Sequence, residues 1–144
     1  MRPEQVFDEL LEGTVQKAAQ VDARGVHLTV AEVLPVHGRG DVDFGGSELK
    51  AAHANPLEPV EHKPGDRYGW WRLEAGAYIV RFNEKIKAGA APMLLVSNER
   101  LLSCGCHVAA TMAGPGEVRT VLSVPHVGLR MKQNARIAML VGWD

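Results

Sequence analysis

The stretch Leu73-Glu-Ala-Gly-Ala-Tyr-Ile-Val-Arg-Phe-Asn-Glu-Lys-Ile-Lys87 decides the fold class. A tight turn at Ala75-Gly76 precedes a run in which Tyr78, Val80 and Phe82 alternate onto one face, as in a β-strand. The chain contains other short β-rich runs separated by turn residues, namely 26–34, 41–44, 68–73, 77–82, 91–96, 105–111, 117–124, 127–131 and 135–142. Short strands at this spacing predict an all-β sandwich or barrel.

The N-terminal segment differs from the rest because residues 3–20 follow helical spacing. Pro3 suits a first helical turn, whereas Gly13 and Thr14 weaken the middle, so we expect a break there. The sequence therefore predicts one N-terminal helix and linker over residues 1–24 and a β domain over residues 25–144. Residues 51–66 hold three prolines and no periodicity, which indicates a long surface loop.

Composition and charge exclude several classes of protein. The chain has 144 residues, of which 46% are hydrophobic and 23% charged, and its formal net charge is −1. A near-neutral charge gives no reason to expect nucleic acid or an anionic membrane as a partner. No apolar run approaches the ~18 residues of a membrane span, and acidic residues interrupt the N-terminal apolar stripe, unlike a signal peptide. We therefore expect a cytoplasmic protein.

Several stretches, taken in order, resemble one known family. They are Val26-His-Leu-Thr-Val30, Asp41-Val-Asp-Phe-Gly-Gly-Ser-Glu-Leu-Lys50, Leu73 to Lys87, Leu101-Leu-Ser-Cys-Gly105, His126-Val-Gly-Leu-Arg130 and Ala135-Arg-Ile-Ala-Met-Leu-Val141. Together, over residues 25–143, they resemble the dUTPase and dCTP-deaminase superfamily, most closely its archaeal dUTPase-like branch. The resemblance implies a distorted β-barrel or jelly roll, a homotrimer with active sites between subunits, and a nucleotide ligand.

The chain departs from this family where its first two motifs lie. The aspartate of the first motif falls on His27, and imidazole is a poor ligand for Mg²⁺, which prefers oxygen. The second motif falls on residues 97–101, where its arginine and both hydroxyl residues are lost and Glu99 adds negative charge. Two like charges a few ångströms apart repel by roughly 1–4 kcal/mol.

The later motifs are also altered. The third motif is a shortened run over residues 111–117, and no aspartate occurs between Asp66 and Asp144, so Glu117 is the sole candidate for a catalytic carboxylate. The glutamine of the fourth motif is Met139, and the glycine-rich arm of many dUTPases is not expected. By resemblance, the candidate nucleotide-binding residues are Asn98, Arg100, Tyr78 and Arg136. Mg²⁺ is expected only if the protein is catalytically active.

Cys104-Gly-Cys106-His107 offers an alternative site, because two thiolates and an imidazole can bind zinc. The spacing differs from that of common zinc motifs and a second ligand pair is missing, so we predict no metal site and expect both cysteines to pack in the core.

Three hypotheses about function remain. The first is a dUTPase-like protein of nucleotide metabolism with degenerate catalytic motifs, non-catalytic or binding a different nucleotide. The second is a divergent dUTP diphosphatase or dCTP deaminase in which Glu117 supplies the carboxylate. In that hypothesis Arg100, Lys132 and Arg136 supply phosphate charge. The third is an unrelated β-sandwich binding module.

Overall fold

An antiparallel sheet forms the body of the structure, a computed structural model that describes residues 1–142. The strands are β1 (Leu11–Glu12), β2 (Val26–Pro35), β3 (Trp70–Leu73), β4 (Gly76–Ile86), β5 (Met93–Ser97), β6 (His107–Val108), β7 (Thr111–Ala113), β8 (Gly116–Val124), β9 (Leu129–Lys132) and β10 (Arg136–Val141). The main sheet has the order β6-β8-β4-β2-β10-β5-β7, with β1 on β4, and β3 pairs with β9 in a separate ribbon. The predicted all-β class is confirmed.

Strand β4 holds the core together because its alternate side chains face inward. Tyr78, Val80, Phe82 and Ile86 are buried on this stripe, and β4 pairs with both β2 and β8. Register shifts interrupt both pairings, which bends the sheet around its core. The strand extends beyond the predicted residues 77–82 because the alternation continues to Ile86.

The single N-terminal helix is broken in the structure. Helix α1 (Pro3–Gln5) continues as a π-helical turn (Val6–Leu10), then β1 pairs with the end of β4, and α2 covers Lys17–Gln20. The break predicted at Gly13 is confirmed. This glycine has φ +75°, and a Cβ added there would lie 2.5 Å from the Asn83 carbonyl oxygen. The boundary between residues 1–24 and 25–144 stays a prediction, and residues 143–144 lie outside the described part.

The predicted strand at residues 41–44 is wrong. Asp41 and Lys50 form only an isolated bridge, and the Asp43 carboxylate accepts hydrogen bonds from the backbone N–H groups of Gly46 and Glu48. An aspartate that binds the backbone a few residues on favours a turn over a strand. Residues 51–66 form the expected loop, with isolated bridges at Ala54 and Val60.

A short helix that the sequence analysis did not predict follows β5. Helix α3 covers Glu99–Leu102, with Asn98 as its N-cap, so Arg100 lies on a helix. The predicted run 105–111 is divided between β6 and β7. Within residues 1–142, none of the helices has the length and apolar character needed to cross a membrane.

Candidate functional site

His27, Asp22 and Asn98 form a closed hydrogen-bonded cluster beside the start of α3. The His27 Nε2 lies 2.7 Å from Asp22 Oδ2, and Nδ1 lies 3.1 Å from the Asn98 side-chain nitrogen. The Asn98 oxygen accepts from the Leu101 N–H at 3.0 Å, and its nitrogen also donates to the Arg136 carbonyl at 2.9 Å. Because an amide nitrogen only donates, Nδ1 is the acceptor and Nε2–H donates to Asp22.

This cluster leaves His27 and Asn98 with no polar atom for a ligand. His27 is 6% exposed and Asn98 is 1% exposed. Both ring nitrogens and both ends of the amide are used by partners within the chain. The hydrogen bonds of this cluster therefore join β2, α3 and β10, and buried polar groups that have hydrogen-bond partners stabilise a fold in this way.

Asp22 stays ionised under this arrangement. Burial acts to raise the pKa of Asp22, but hydrogen bonds from His27, Arg24 and Gly25 outweigh it, so the pKa lies below its ordinary value. The Arg24 guanidinium lies 3.5 Å from the Asp22 carboxylate and 2.8 Å from that of Glu99. Arg24 thus offsets the negative charge that Glu99 adds at the start of α3.

A second buried carboxylate lies on the inward stripe of β4. Glu84 is fully buried and accepts hydrogen bonds from the Thr29 backbone at 2.8 Å, the Thr29 hydroxyl at 2.6 Å and the Gln20 amide at 2.9 Å. Burial raises the pKa of Glu84, although these hydrogen bonds oppose the rise. Because Gln20 also donates to the His27 carbonyl, Glu84 fastens α2 to the sheet.

A groove of about 390 Å³ opens beside the His27 cluster. Arg136 lines it from β10, Arg100 from α3, and Arg130 and Lys132 from β9. We call this the basic groove. Trp70, Leu101, Cys104 and residues 129, 131, 133–135 and 137 complete its lining. Its volume lies within the ~300–1,000 Å³ of small-molecule sites.

The cations of the basic groove form no salt bridges within the part of the chain that the structure describes. Among residues 1–142, the salt bridges of arginine and lysine side chains involve Arg2, Lys17, Arg24, Arg39, Arg81 and Arg119. None of the four groove cations has a carboxylate partner within that part of the chain; Arg136 donates to the Ala19 carbonyl and Arg130 contacts His62. Such a groove attracts an anion.

The outer face of the β3–β9 ribbon continues the basic groove. Trp70 pairs with Lys132 and Arg72 pairs with Arg130, so the four side chains share one face. The Arg130 Cζ lies 5.0 Å from the centroid of the Trp70 ring, and the Lys132 Nζ lies 5.6 Å from it. We call this face the ribbon face.

Curated relatives named "Probable deoxyuridine 5'-triphosphate nucleotidohydrolase" match most of the chain. The protein of Methanosarcina mazei is 33% identical over 141 residues, covering 92% of this chain and 77% of the relative. That of Methanosarcina acetivorans is 34% identical over 145 residues, with 95% and 80% covered. That of Aeropyrum pernix is 30% identical over 127 residues, with 84% and 74% covered.

The chain belongs to the dUTPase family. No protein-family model matches it, which fits a divergent member. The hypothesis of an unrelated β-sandwich module is therefore wrong, and the resemblance stated from the sequence is confirmed.

The hydrogen bond between His27 and Asn98 brings into direct contact the two positions that the resemblance assigns to the first and second motifs. The donors there do not fit Mg²⁺, because that ion takes oxygen ligands and an imidazole and an amide nitrogen meet at this place. Among residues 1–142, Asp22 is the only carboxylate that forms a hydrogen bond with the His27 ring. Within residues 1–142, no three histidine, cysteine, aspartate or glutamate side chains lie close enough to hold a metal ion.

Glu117, the candidate catalytic carboxylate of this dUTPase-family chain, lies on β8, two strands away from β2 in the sheet order. It is exposed and accepts hydrogen bonds from the Arg119 guanidinium at 3.1 and 3.2 Å. It is not part of the lining of the basic groove. The three candidates that the structure does bring together are Asn98, Arg100 and Arg136, and the roles of all of them stay predictions.

Tyr78, the remaining candidate, lies on β4 with its ring 7% exposed. Its hydroxyl donates to the Glu74 carbonyl at 2.6 Å, and burial raises the pKa of the phenol. The side chain does not line the basic groove, and its role as a wall of the base pocket stays a prediction.

The two cysteines differ in environment. Cys104 is exposed and lines the basic groove, whereas Cys106 is buried and both are free thiols. Burial, followed by the neighbouring Cys104, raises the pKa of the Cys106 thiol. The expectation that both pack in the core is therefore wrong for Cys104.

The sequence analysis missed Asp22, Glu84 and the ribbon face. Glu84 had a signal, since it falls on the inward stripe of β4 between Phe82 and Ile86. Asp22 had a weaker one, since an aspartate two or three residues before Arg24 and Gly25 favours a turn that binds the backbone. For the ribbon face the sequence offers Trp70 at the start of a strand, either as a stacking surface for a base or as a core or interface anchor, but only the pairing of β3 with β9 joins it to Arg130 and Lys132.

Proposed function

We propose that this chain is a dUTPase-family protein that binds a nucleotide but does not hydrolyse its triphosphate. The observation that supports the proposal is the closed contact between His27 and Asn98. Where the family resemblance implies a carboxylate and hydroxyl groups that face the phosphates, this chain has two buried side chains bonded to each other and to Asp22. Asn98, Arg100 and Arg136 lie beside the groove in which we place the ligand.

Hydrolysis of a triphosphate needs a carboxylate that orients and deprotonates water, and cations that offset the developing charge. The basic groove supplies cations, yet none of the residues 1–142 that line it is an aspartate or glutamate. A groove of this kind favours binding of the polyanion without activation of water. We therefore expect this chain to bind a nucleotide without hydrolysing it.

The names of the relatives favour the alternative of an active dUTP diphosphatase, which converts dUTP to dUMP and pyrophosphate. In that case Glu117 supplies the carboxylate and the groove residues Arg100, Lys132 and Arg136 hold the phosphates. Glu117 lies outside the groove in one chain, so the alternative requires the Glu117 of a second subunit. A dCTP deaminase would also require the Glu117 of a second subunit as its carboxylate.

One experiment separates these proposals. The purified protein is incubated with Mg²⁺ and each deoxynucleoside triphosphate, and pyrophosphate and ammonia are measured beside a thermal shift. Binding without turnover supports the proposal, since a ligand at ~100 times its Kd stabilises by ~2.7 kcal/mol. Turnover that disappears in Glu117→Gln supports the enzyme instead.

We also propose that the protein is a cytoplasmic homotrimer without nucleic-acid or membrane partners. The support is the family membership together with the near-neutral charge. Light scattering tests the assembly, and a mass of three chains is expected. A monomeric mass would contradict it and would also remove the subunit contact that the enzyme alternative requires.

A further inference from the structure

We propose that the basic groove and the ribbon face together form one site for a nucleoside polyphosphate. In this site the base stacks on Trp70, and the phosphates lie along the cations of the basic groove. The inference rests on the proposed nucleotide binding and specifies where and how the nucleotide binds.

The pairing of β3 with β9 places the ribbon face on the outer side of the ribbon. Trp71 and Met131 alternate to the inner side and are 2% and 3% exposed. Trp70 is only half-buried and lines two grooves. The ring is therefore held by a well-packed ribbon and is partly exposed at the edge of both grooves.

The cations over Trp70 occupy the position that a base would take. The side-chain charges of Arg130 and Lys132 lie 5.0 and 5.6 Å from the indole. A cation over an exposed ring is a weak interaction, and a phosphate is a stronger partner for both side chains. Movement of the two cations onto phosphate leaves the indole free to stack with a base, which is the usual way aromatic side chains hold nucleotides.

The charges around Trp70 set the direction of the ligand. A second groove, of about 410 Å³, shares Trp70 and Arg130 with the basic groove, and its other charged or titratable lining residues are Glu58, Glu61, His62 and Arg72. Its two carboxylates offset its two arginines, whereas the lining of the basic groove within residues 1–142 holds four cations and no carboxylate, so phosphate favours the basic groove. The base therefore lies toward Glu58 and Glu61, and the phosphates lie toward Arg100 and Arg136.

The chemistry of the site defines the class of ligand. Stacking accepts any base, because every base has a π-face. Recognition thus depends on the number of phosphates more than on the base. We expect a triphosphate to bind more tightly than the monophosphate and the monophosphate more tightly than the nucleoside, with small differences between dUTP, dCTP and dATP.

Calorimetry with four probes tests the site: dUTP, dUMP, deoxyuridine and inorganic tripolyphosphate. Lys132→Gln is expected to lower the affinity for dUTP and for tripolyphosphate by about tenfold. Trp70→Leu is expected to lower the affinity for dUTP by about tenfold and to leave the affinity for tripolyphosphate unchanged. Trp70→Phe is expected to retain most of the wild-type affinity for dUTP. Lys50→Gln is the matched control, since Lys50 is exposed, has no salt bridge among residues 1–142 and lies outside both grooves. Thermal unfolding of each variant verifies the fold.

Three results would overturn the inference. If wild type binds dUTP and neither Trp70→Leu nor Lys132→Gln changes the Kd, the site lies elsewhere and the proposed function stands. If Trp70→Leu weakens tripolyphosphate as much as dUTP, the base does not stack on Trp70. If wild type binds no nucleotide, the inference and the proposed function both fail.

Discussion

The side-chain nitrogen of Asn98 lies 3.1 Å from Nδ1 of His27, and this contact joins the positions of the family's first and second motifs. The same asparagine caps α3 and holds the Arg136 carbonyl. Both ends of the Asn98 side-chain amide are thus bonded inside the fold. A substitution of Asn98 is therefore expected to change the stability of the fold, whereas a substitution of a cation in the basic groove is expected to change ligand affinity.

Asn98→Ala is expected to lower the free energy of unfolding by about 3 kcal/mol. Loss of an N-cap costs ~1 kcal/mol, and the unpaired His27 Nδ1 and Arg136 carbonyl add ~1–3 kcal/mol. Urea unfolding measures the change. Asn55→Ala is the matched control, because Asn55 also contacts a histidine, His37, but at an exposed place. It is expected to change stability by less than ~0.5 kcal/mol, and an equal loss in both variants would contradict the role of the buried cluster.

Glu84 is expected to make stability depend on pH. Its folded pKa is raised above the ordinary value of 4.5, so the folded state binds the proton more tightly than the unfolded state. This contribution is complete below pH 4.5 and is lost as the pH rises through the folded pKa, with a slope of at most ~1.4 kcal/mol per pH unit.

Urea unfolding of wild type and Glu84→Gln from pH 4 upward measures this dependence. The variant lacks the titrating group. As the pH rises over that window, the free energy of unfolding is therefore expected to fall more in wild type than in Glu84→Gln. A stability difference between the two proteins that stays constant from pH 4 to pH 8 would show that Glu84 has an ordinary pKa in the folded protein.

Gly13→Ala is expected to destabilise the protein by about 2–3 kcal/mol. The new Cβ would combine a left-handed φ of +75° with a distance of 2.5 Å to the Asn83 carbonyl oxygen. Gly89→Ala is the control, because Gly89 has φ +87° with nothing within 4 Å of the added Cβ, and only the backbone strain of ~1 kcal/mol remains. Thermal unfolding compares them, and equal losses would mean that the contact with β4 is not tight.

The two thiols are expected to react at different rates with a thiol reagent. Cys104 is exposed and reacts in the folded protein, whereas Cys106 is buried with a raised pKa and reacts only on unfolding. Absorbance of the released thiol is expected to report one group per chain in buffer and two in denaturant. Cys104→Ser removes the fast group, and a fast reaction that persists in this variant would contradict the assignment.

The fold was largely predictable because its strands carry their signal locally. The alternation of Tyr78, Val80 and Phe82 predicts β4, and the glycine at position 13 predicts the break in the N-terminal helix. The failures are at places where a side chain binds the backbone. Asp43 turns a β-rich run into a loop, and Asn98 begins a helix of only four residues.

The site was less predictable because it depends on pairs that are distant in sequence. Arg100 and Arg136 were identified by resemblance, and the structure places them in one groove. His27 was identified as a departure from the first motif, but its bond to Asn98 spans 71 positions and follows from no local pattern. The same holds for Trp70 and Lys132, which meet only through the pairing of β3 with β9.

Phosphorus-31 NMR of dUTP with the protein and Mg²⁺ distinguishes nucleotide binding from hydrolysis, because one spectrum reports both. We expect the three phosphate resonances to broaden or shift with added protein, and no pyrophosphate signal to grow beyond that of the protein-free sample. Pyrophosphate that accumulates with wild type, and not with Glu117→Gln, would contradict this expectation.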